Sequence, residues 1–222
     1  IAVVMGTNTS GMAEAEAAFK HYKIVGKYSG DFNYAKQELG SCSEFLREYA
    51  GLTGPAYTSS SACSASGKAI AAADRLIQNG ICDAAIVGGS DALCQTTLNG
   101  FDALNLLSEA ICNPFSKNRS GINLGEGAAL FILSKQPGGV KLLGIGESSD
   151  AYHMSAPDPQ GVGAKTAMTQ AVEMAAITPE QVGYINLHGT ASAHNDSMES
   201  LAVYDLFGSQ PYCSSTKPLT GH

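Results

Sequence analysis

The sequence predicts an α/β fold with a mostly parallel β-sheet. Short apolar runs typical of buried strands alternate along the chain with segments of helical spacing, which favours βαβ units. The strand-like runs are Ile1–Met5, Asp83–Gly89, Ala128–Leu133, Val140–Ile145 and Tyr184–Leu187. The segments of helical spacing are Met12–Lys23, Tyr34–Tyr49, Ser64–Asn79 and Ala164–Ala176. With 222 residues, of which 44% are hydrophobic and 15% charged, the chain is long enough to bury a substantial core.

The strand-like runs end at glycine and proline. Ile1–Met5 leads into Gly6–Gly11, a loop of small and polar residues, and Pro55 marks the turn into another β-prone stretch. Glycines interrupt the Asp83–Gly89 run, which is typical of a buried strand that another backbone approaches closely.

The clearest helix begins after Ser64. Its apolar residues recur at helical spacing as far as Asn79, and Gly80 supplies a C-terminal stop. Small side chains dominate this segment, so it can pack closely on every side, as a central buried helix must. The helical segment Ala164–Ala176 is followed by Thr178–Gln181, a second helix start with proline in its first turn.

Charge and cysteine content exclude several classes of function. The formal net charge of −7 argues against nucleic acid or an anionic membrane surface as the partner. No apolar stretch reaches the roughly 18 residues of a membrane span, and the start lacks the features of a signal peptide. The six cysteines form no Cys-x-x-Cys pair. This favours reduced thiols in the cytoplasm over a disulfide framework or a metal site.

Cys63 is the candidate nucleophile. It lies where the hydroxyl-rich stretch Tyr57–Ser61 meets the alanine-rich helical pattern. A thiol at such a junction lies at the positive end of a helix dipole, which lowers the pKa of the thiol and favours the thiolate. Most cysteines are small buried hydrophobes, and we interpret the others as structural: Cys42, Cys82, Cys94, Cys112 and Cys213.

Two histidines and a lysine follow in the second half of the chain. The segment Tyr184–Thr190 reads as a short apolar strand that delivers His188 to a glycine turn. Ser214–His222 then supplies Lys217 and a second histidine. Three polar groups with different pKa values therefore accompany one thiol. An isolated histidine is usually structural, and we interpret three others in that way: His21, His153 and His194.

The order of these motifs along the chain is itself informative. The segments concerned are Ala62–Ser64, Gly125–Ala128, His188–Thr190, Asn195–Asp196, Glu199, Ser215–Lys217 and Gly221–His222. Taken together, they resemble the elongating β-ketoacyl-[acyl-carrier-protein] synthases of the thiolase superfamily. The resemblance covers nearly the whole chain.

The resemblance implies a thiolase-like fold, layered α-β-α-β-α and made from two related βαβαβ halves. We place the nucleophile half at residues 1–137 and the histidine half at residues 138–222, divided at the turn Pro137–Gly139. Family members are longer on both sides, so we expect this chain to be part of a longer protein.

The resemblance also implies roles for the candidate catalytic residues. Cys63 is expected to carry an acyl chain as a thioester. His188 and His222 are expected to donate N–H bonds to the enolate oxygen that forms when a malonyl thioester loses CO2. Lys217 is expected to keep an imidazole in a useful protonation state. The oxyanion hole for acyl transfer is expected to use the backbone N–H of Cys63 and a Gly-Phe-Gly-type loop, which does not occur among these residues.

Five further residues are assigned supporting roles by the resemblance. Asp196 and Glu199 are expected in the network around the lysine, and Glu126 in a largely structural turn near the active site. Thr190 and Ser192 are expected to bind the phosphopantetheine arm of the substrates. The family reads His-Gly-Thr-Ser-Thr here, whereas this chain reads His-Gly-Thr-Ala-Ser. We therefore expect arm binding with altered detail.

The residue at the second histidine position distinguishes the reactions that enzymes of this fold catalyse. Priming synthases of this fold resemble a Cys-His-Asn set and thiolases need a second catalytic cysteine, whereas this chain has His222 and no cysteine after Cys213. The resemblance implies decarboxylative Claisen condensation, an acyl carrier protein as partner, no metal or organic cofactor, and a homodimer formed near Ala56–Ser61. Two alternatives stay open: a polyketide or aryl-polyene ketosynthase, and a non-catalytic chain-length-factor-like subunit, against which Cys63 argues.

Overall fold

The computed structural model describes all 222 residues, Ile1–His222, as a mixed α/β protein, which confirms the predicted fold class. The strands are β1 (Ala2–Gly6), β2 (Ala56–Ser59), β3 (Ala84–Asp91), β4 (Gly127–Ser134), β5 (Tyr184–Asn186) and β6 (Tyr212–Ser214). The α-helices are α1 (Met12–Val25), α2 (Ser41–Tyr49), α3 (Ala65–Gln78), α4 (Gln95–Ala103), α5 (Val162–Met174), α6 (Ala193–Phe207) and α7 (Lys217–Thr220). No helix has the length and apolar character that crossing a bilayer requires.

The chain forms two compact units. The first comprises Ile1–Gly100 and Gly125–Pro137, and the second comprises Phe101–Leu124 and Gly138–His222. Residues Phe101–Leu124 come before residue 137 in the chain, yet they belong to the second unit. The reason is that their backbone hydrogen bonds are to residues of that unit. The N–H of Gly121, for example, donates to the carbonyl of Ala191 at 3.1 Å.

The first unit is built on a four-stranded sheet in the order β2-β1-β3-β4. β1 is parallel to β2 and β3, whereas β4 pairs antiparallel with β3 at one edge. Every residue of β1 is buried. The predicted small-residue helix is α3, whose buried residues pack on the sheet in a core of Ala2, Val4, Ala69, Ala73, Ile77, Cys82, Ala85 and Val87.

The edge strand β4 leaves large apolar side chains exposed. Phe131 has 63% of its surface exposed and Ile132 has 78%. Because neighbouring side chains of a strand point to opposite faces, both faces of β4 carry an exposed apolar group.

The second unit contains the parallel pair β5-β6 together with α5, α6 and α7. The predicted strand at Val140–Ile145 is wrong, because these residues pair with no strand. Their backbone packs against α5 instead. The N–H of Ile145 donates to Met174 Sδ at 3.3 Å, and a Cβ on Gly144 would lie 2.1 Å from the Ala171 carbonyl oxygen. This close approach to a helix replaces a strand partner.

Two helices differ from the sequence prediction. The segment Tyr34–Tyr49 is not one helix but a 3-10 turn, Tyr34–Gln37, followed by α2. Helix α4 was not predicted. Its first N–H groups, on Gln95 and Thr96, donate to the carboxylate of Glu16 on α1 at 2.8 and 2.6 Å. A cap that comes from 80 residues away leaves no local sequence signal.

Two glycines seat the first turn of α3 on the sheet. Gly6 on β1 is the register partner of Gly89 on β3. A Cβ on Gly6 would lie 2.5 Å from the backbone of Ala65 and Ser66, and one on Gly89 would lie 2.1 Å from Ser66 Oγ. Such an approach requires residues without side chains. The pair therefore fixes where α3 begins, two residues after Cys63.

We expect Gly6→Ala to lower the free energy of unfolding by about 3 kcal/mol, because the new methyl group meets backbone atoms that cannot rotate away. Gly67→Ala is the matched control. It lies in α3, where an added Cβ meets no atom within 4 Å, and should raise stability by about 0.5–1 kcal/mol through helix propensity. Urea unfolding measures both. Wild-type stability in Gly6→Ala would show that α3 is not seated by this glycine.

Candidate active site

Cys63 lies in the turn that joins β2 to α3, and its side chain is exposed. The preceding residue, Ala62, has a left-handed φ of 51°. Ser64, which precedes the helix, makes no side-chain cap, because its hydroxyl donates instead to the carbonyl of Ser61 at 2.8 Å. The thiol therefore stands at the positive end of the α3 dipole, as predicted from the sequence.

A polar loop, Thr7–Thr9, follows β1 and borders this turn. Asp91 Oδ1, at the end of β3, accepts bonds from the N–H groups of Asn8 and Thr9 at 2.7 and 2.9 Å. It also accepts from the hydroxyls of Thr7 and Thr9 at 2.9 and 3.0 Å. Burial alone raises the pKa of Asp91, but these four hydrogen bonds outweigh it and hold the pKa below its ordinary value.

His188 and His222 lie side by side in the second unit. Their ring centroids are 5.0 Å apart with an interplanar angle of 72°. The ring of Phe101 also contacts that of His222 edge to face, with centroids 5.9 Å apart. His188 follows β5, and His222 follows α7. The family resemblance implied that these two histidines act together, although they are 34 residues apart in the chain.

Both imidazoles resist protonation. Burial is the largest cause and lowers the pKa of His188 to about 4, with His222 and Lys217 adding repulsion. Burial and Lys217 lower the pKa of His222 to about 4 as well. At neutral pH each ring is therefore uncharged and carries one N–H donor and one bare nitrogen. The positive charge of Lys217 helps to keep both rings uncharged.

Ser215 ties the lysine motif to the His188 turn. Its hydroxyl donates to the carbonyl of Gly189 at 2.9 Å and accepts the N–H of Lys217 at 3.3 Å. A Cβ on Gly189, whose φ is 44°, would lie 2.5 Å from the Ser215 Cβ. Only glycine fits this turn, and the two motifs meet through it.

Two carboxylates shape the loop that carries His188. Glu199 accepts the N–H of His188 at 2.6 Å and that of Gly189 at 2.8 Å. Asp196 has 1% of its surface exposed and accepts the N–H groups of Ala191 and Phe115 at 3.1 and 2.7 Å. The sequence suggested these acids as partners of the lysine, whereas the structure shows them binding backbone N–H groups.

The remaining predicted residues lie in two places. The hydroxyls of Thr190 and Ser192 are 3.1 Å apart, on either side of Ala191, which has a left-handed φ of 66°. Glu126 lies in the first unit, where its carboxylate accepts the N–H of Leu93 at 3.1 Å. It therefore holds the turn that leads into α4.

Asn123 is a site residue that the sequence did not single out. Its carbonyl accepts the N–H of His222 at 2.7 Å. Its side chain accepts the N–H of Cys112 at 2.7 Å and donates to the carbonyls of Ser108 and Ala110 at 3.1 and 3.0 Å. The only sign of it in the sequence is that a polar residue interrupts the apolar run Ile122–Leu124.

Comparison with known proteins assigns both parts of the chain. Residues 1–137 match the family model described as the N-terminal domain of beta-ketoacyl synthase, and residues 140–222 match the model of its C-terminal domain. The 3-oxoacyl-[acyl-carrier-protein] synthase 2 of Staphylococcus aureus is 36% identical in an alignment of 189 residues that covers 78% of this chain and 47% of that protein. The chain therefore spans about half the length of such relatives.

Solved structures agree with the family match. The ketosynthase ApeO in complex with its chain length factor ApeC, from Xenorhabdus doucetiae, has a TM-score of 0.95 and 49% identity, covering 100% of this chain and 56% of that one. The complex AntDE:AntF, a type II PKS acyl-carrier protein with its ketosynthase bound to the hexaketide, has a TM-score of 0.87 and 27% identity. It covers 99% of this chain and 58% of that one. The predicted thiolase-like fold class is confirmed.

The low histidine pKa values predict stability that is lost in mild acid. With pKa values of about 4 in the folded state and 6.5 in the unfolded state, the unfolded chain binds more protons between these limits. The free energy of unfolding should therefore fall as the pH drops from 6.5 to 4, by about 3 kcal/mol for each histidine and about 6 kcal/mol for the pair. Above pH 6.5 both histidines are neutral in the folded and in the unfolded chain, so the free energy of unfolding no longer depends on their protonation.

Urea unfolding between pH 7.5 and 4 measures this loss. We expect His222→Gln to remove about half of it, and the exposed His21→Gln to follow the wild-type curve. If His222→Gln and the wild type lose equal stability over this range, the depressed pKa values are wrong.

Proposed function

The chain belongs to the β-ketoacyl synthase family, and we propose that it supplies the condensing centre of an elongating β-ketoacyl-[acyl-carrier-protein] synthase. The reaction is decarboxylative Claisen condensation of an acyl thioester on Cys63 with a malonyl thioester. The observation that carries the proposal is the pair of adjacent neutral imidazoles, His188 and His222. In the proposed reaction Cys63 carries the acyl group, and the imidazole pair acts on the malonyl thioester.

Acyl transfer to Cys63 is the first step. The Sγ thiolate attacks the carbonyl carbon of the acyl thioester, and the electron pair of the carbonyl bond moves to oxygen. The backbone N–H of Cys63 donates to that oxyanion. The intermediate collapses by expelling the phosphopantetheine thiolate of the carrier, which takes up a proton. The exposed position of Cys63 at the start of α3 supports this role.

Decarboxylation and bond formation follow. The malonyl thioester loses CO2, and the electrons of the broken carbon–carbon bond form an enolate. The N–H groups of His188 and His222 stabilise the enolate oxygen as its charge develops. The enolate carbon then attacks the Cys63 thioester and releases the thiolate, which leaves a β-ketoacyl thioester two carbons longer. This chemistry needs no metal or organic cofactor.

An acyl carrier protein is the proposed partner in both steps. The Staphylococcus relative is named for acyl-carrier-protein substrates, and AntDE:AntF is a complex with such a protein. We assign the adjacent hydroxyls of Thr190 and Ser192 to the phosphopantetheine arm. The family resemblance favours a homodimer, and β2 is an edge strand of the sheet, where another strand can pair. We place the protein in the cytoplasm, where its six cysteines stay reduced.

A polyketide or aryl-polyene ketosynthase is the second candidate, and a specific observation favours it. At 49% identity, the ketosynthase complex with a chain length factor is closer in sequence than the Staphylococcus synthase at 36%. The chemistry is the same in both candidates, and only the acyl substrate and the partner subunit differ. A non-catalytic subunit is disfavoured, because Cys63, His188 and His222 are all present.

We expect radiolabelled acyl-carrier protein to transfer its acyl group to Cys63 of the purified whole protein. Cys63→Ala should abolish the labelling, because no other thiol stands at this helix start. Cys213→Ala, which removes another exposed thiol, should label like the wild type. Gel autoradiography with peptide mapping measures the label. Equal labelling of Cys63→Ala and wild type would show that the nucleophile is assigned wrongly.

We expect His188→Ala to slow malonyl decarboxylation by about 100-fold, because one of the two N–H donors to the enolate is lost. Acyl labelling of Cys63 should stay within about threefold of wild type, since that step uses another oxyanion donor. His194→Ala, an exposed histidine on α6, is the control. Release of 14CO2 from labelled malonyl carrier protein measures the rate. A wild-type rate in His188→Ala contradicts the enolate role.

A further inference from the structure

Asn8 holds the peptide group that precedes the nucleophile. Its Nδ2 donates to the carbonyl oxygen of Ala62 at 3.0 Å, and its Oδ1 accepts the hydroxyl of Ser60 at 3.0 Å. Because the amide uses a donor on one side and an acceptor on the other, only one orientation satisfies both bonds. The side chain therefore spans the turn between β2 and α3 and fixes the carbonyl direction of Ala62.

The backbone of Asn8 is itself held in place by hydrogen bonds. Its own N–H is one of the four groups bound by Asp91 Oδ1, together with the hydroxyls of Thr7 and Thr9 and the N–H of Thr9. Hydrogen bonds to a carboxylate are stronger than those between neutral groups. The loop thus joins the end of β3 to the Cys63 turn, and Asn8 is the residue that makes the final contact.

The conformation that Asn8 holds is a costly one. Ala62 has a φ of 51°, and a left-handed conformation costs a residue with a Cβ about 1 kcal/mol. Such a conformation persists only where neighbouring bonds enforce it. Here the Ala62 carbonyl accepts two of them, from Asn8 and from the N–H of Ala65 at 3.0 Å.

The peptide group between Ala62 and Cys63 is planar, so its C=O and N–H directions are coupled. A bond that fixes the Ala62 oxygen therefore also fixes the direction of the Cys63 N–H on the opposite side. Hydrogen bonds accepted by that carbonyl also polarise the peptide group and strengthen its N–H as a donor.

We propose that Asn8 is a positioning residue that aims the Cys63 N–H at the oxyanion formed during acyl transfer to the Cys63 sulfur. The inference rests on the proposed function, because the oxyanion exists only if Cys63 accepts an acyl group. Asparagine suits this position better than its analogues. Aspartate cannot donate to the Ala62 carbonyl, and alanine reaches neither Ser60 nor Ala62.

Two reactions of the same thiol separate positioning from general damage. Acyl transfer from octanoyl-N-acetylcysteamine passes through a tetrahedral oxyanion and needs the N–H donor. Alkylation by iodoacetamide is a direct displacement in which the thiolate takes the CH2 group and iodide leaves, so it forms no oxyanion. Peptide-resolved mass spectrometry follows both reactions at Cys63, and the exposed Cys213 of the same molecule is the internal reference.

We expect Asn8→Ala to slow acyl transfer by about tenfold while alkylation stays within about twofold of wild type. Asn8→Asp should slow acyl transfer at least as much, because it places a carboxylate oxygen against the Ala62 carbonyl. Asn79→Ala is the matched control. It removes the same kind of bond, from Nδ2 to the Arg75 carbonyl at 2.7 Å, at the other end of α3. Both rates should then match wild type.

Each other outcome overturns the inference. If acyl transfer and alkylation fall together in both Asn8 variants, Asn8 supports the turn as a whole and does not aim the N–H. If acyl transfer in both Asn8 variants matches Asn79→Ala, the contact has no effect on the reaction. If wild-type Cys63 is alkylated but accepts no acyl group from either the thioester or the acyl carrier protein, the proposed function fails and this inference falls with it.

Discussion

The close approach of α3 to the sheet beneath it is the constraint on which the first unit depends. Gly6 carries no side chain where the backbone of Ala65 and Ser66 passes, and Gly89 carries none where the Ser66 side chain lies. Because the helix begins so near the strands, the turn before it lies within hydrogen-bond reach of Asn8. A longer residue at either glycine would displace the helix start, and the geometry around the thiol would move with it.

Acidic side chains hold the main chain in both units. Asp91 accepts hydrogen bonds from the loop beside the Cys63 turn. Asp196 and Glu199 accept hydrogen bonds from the loop that carries His188. Their contacts are mostly to backbone N–H groups, so their negative charge is used to fix loops. Burial is the main reason that the pKa values of both imidazoles are low, and the positive charge of Lys217 lowers them further. The histidines can therefore act as neutral donors.

What the sequence predicted well depends on local patterns. The helix α3 and the buried strand β1 follow from small-residue spacing and from an apolar run, and both were found where predicted. The pairing of His188 with His222 came from a family resemblance and not from any pattern of spacing. The strand predicted at Val140–Ile145 failed because an apolar run does not reveal its partner, which here is α5. The contact of Asn8 with Ala62 was invisible for the same reason, since 54 residues separate the two.

The exposed edge strand β4 has a consequence for what can pair with the sheet. Phe131 and Ile132 stand in solvent on a strand whose outer edge has no partner strand. An edge of this kind is a template for adding another strand, and its apolar side chains strengthen such contacts. Another strand can therefore add to β4 wherever nothing covers this edge.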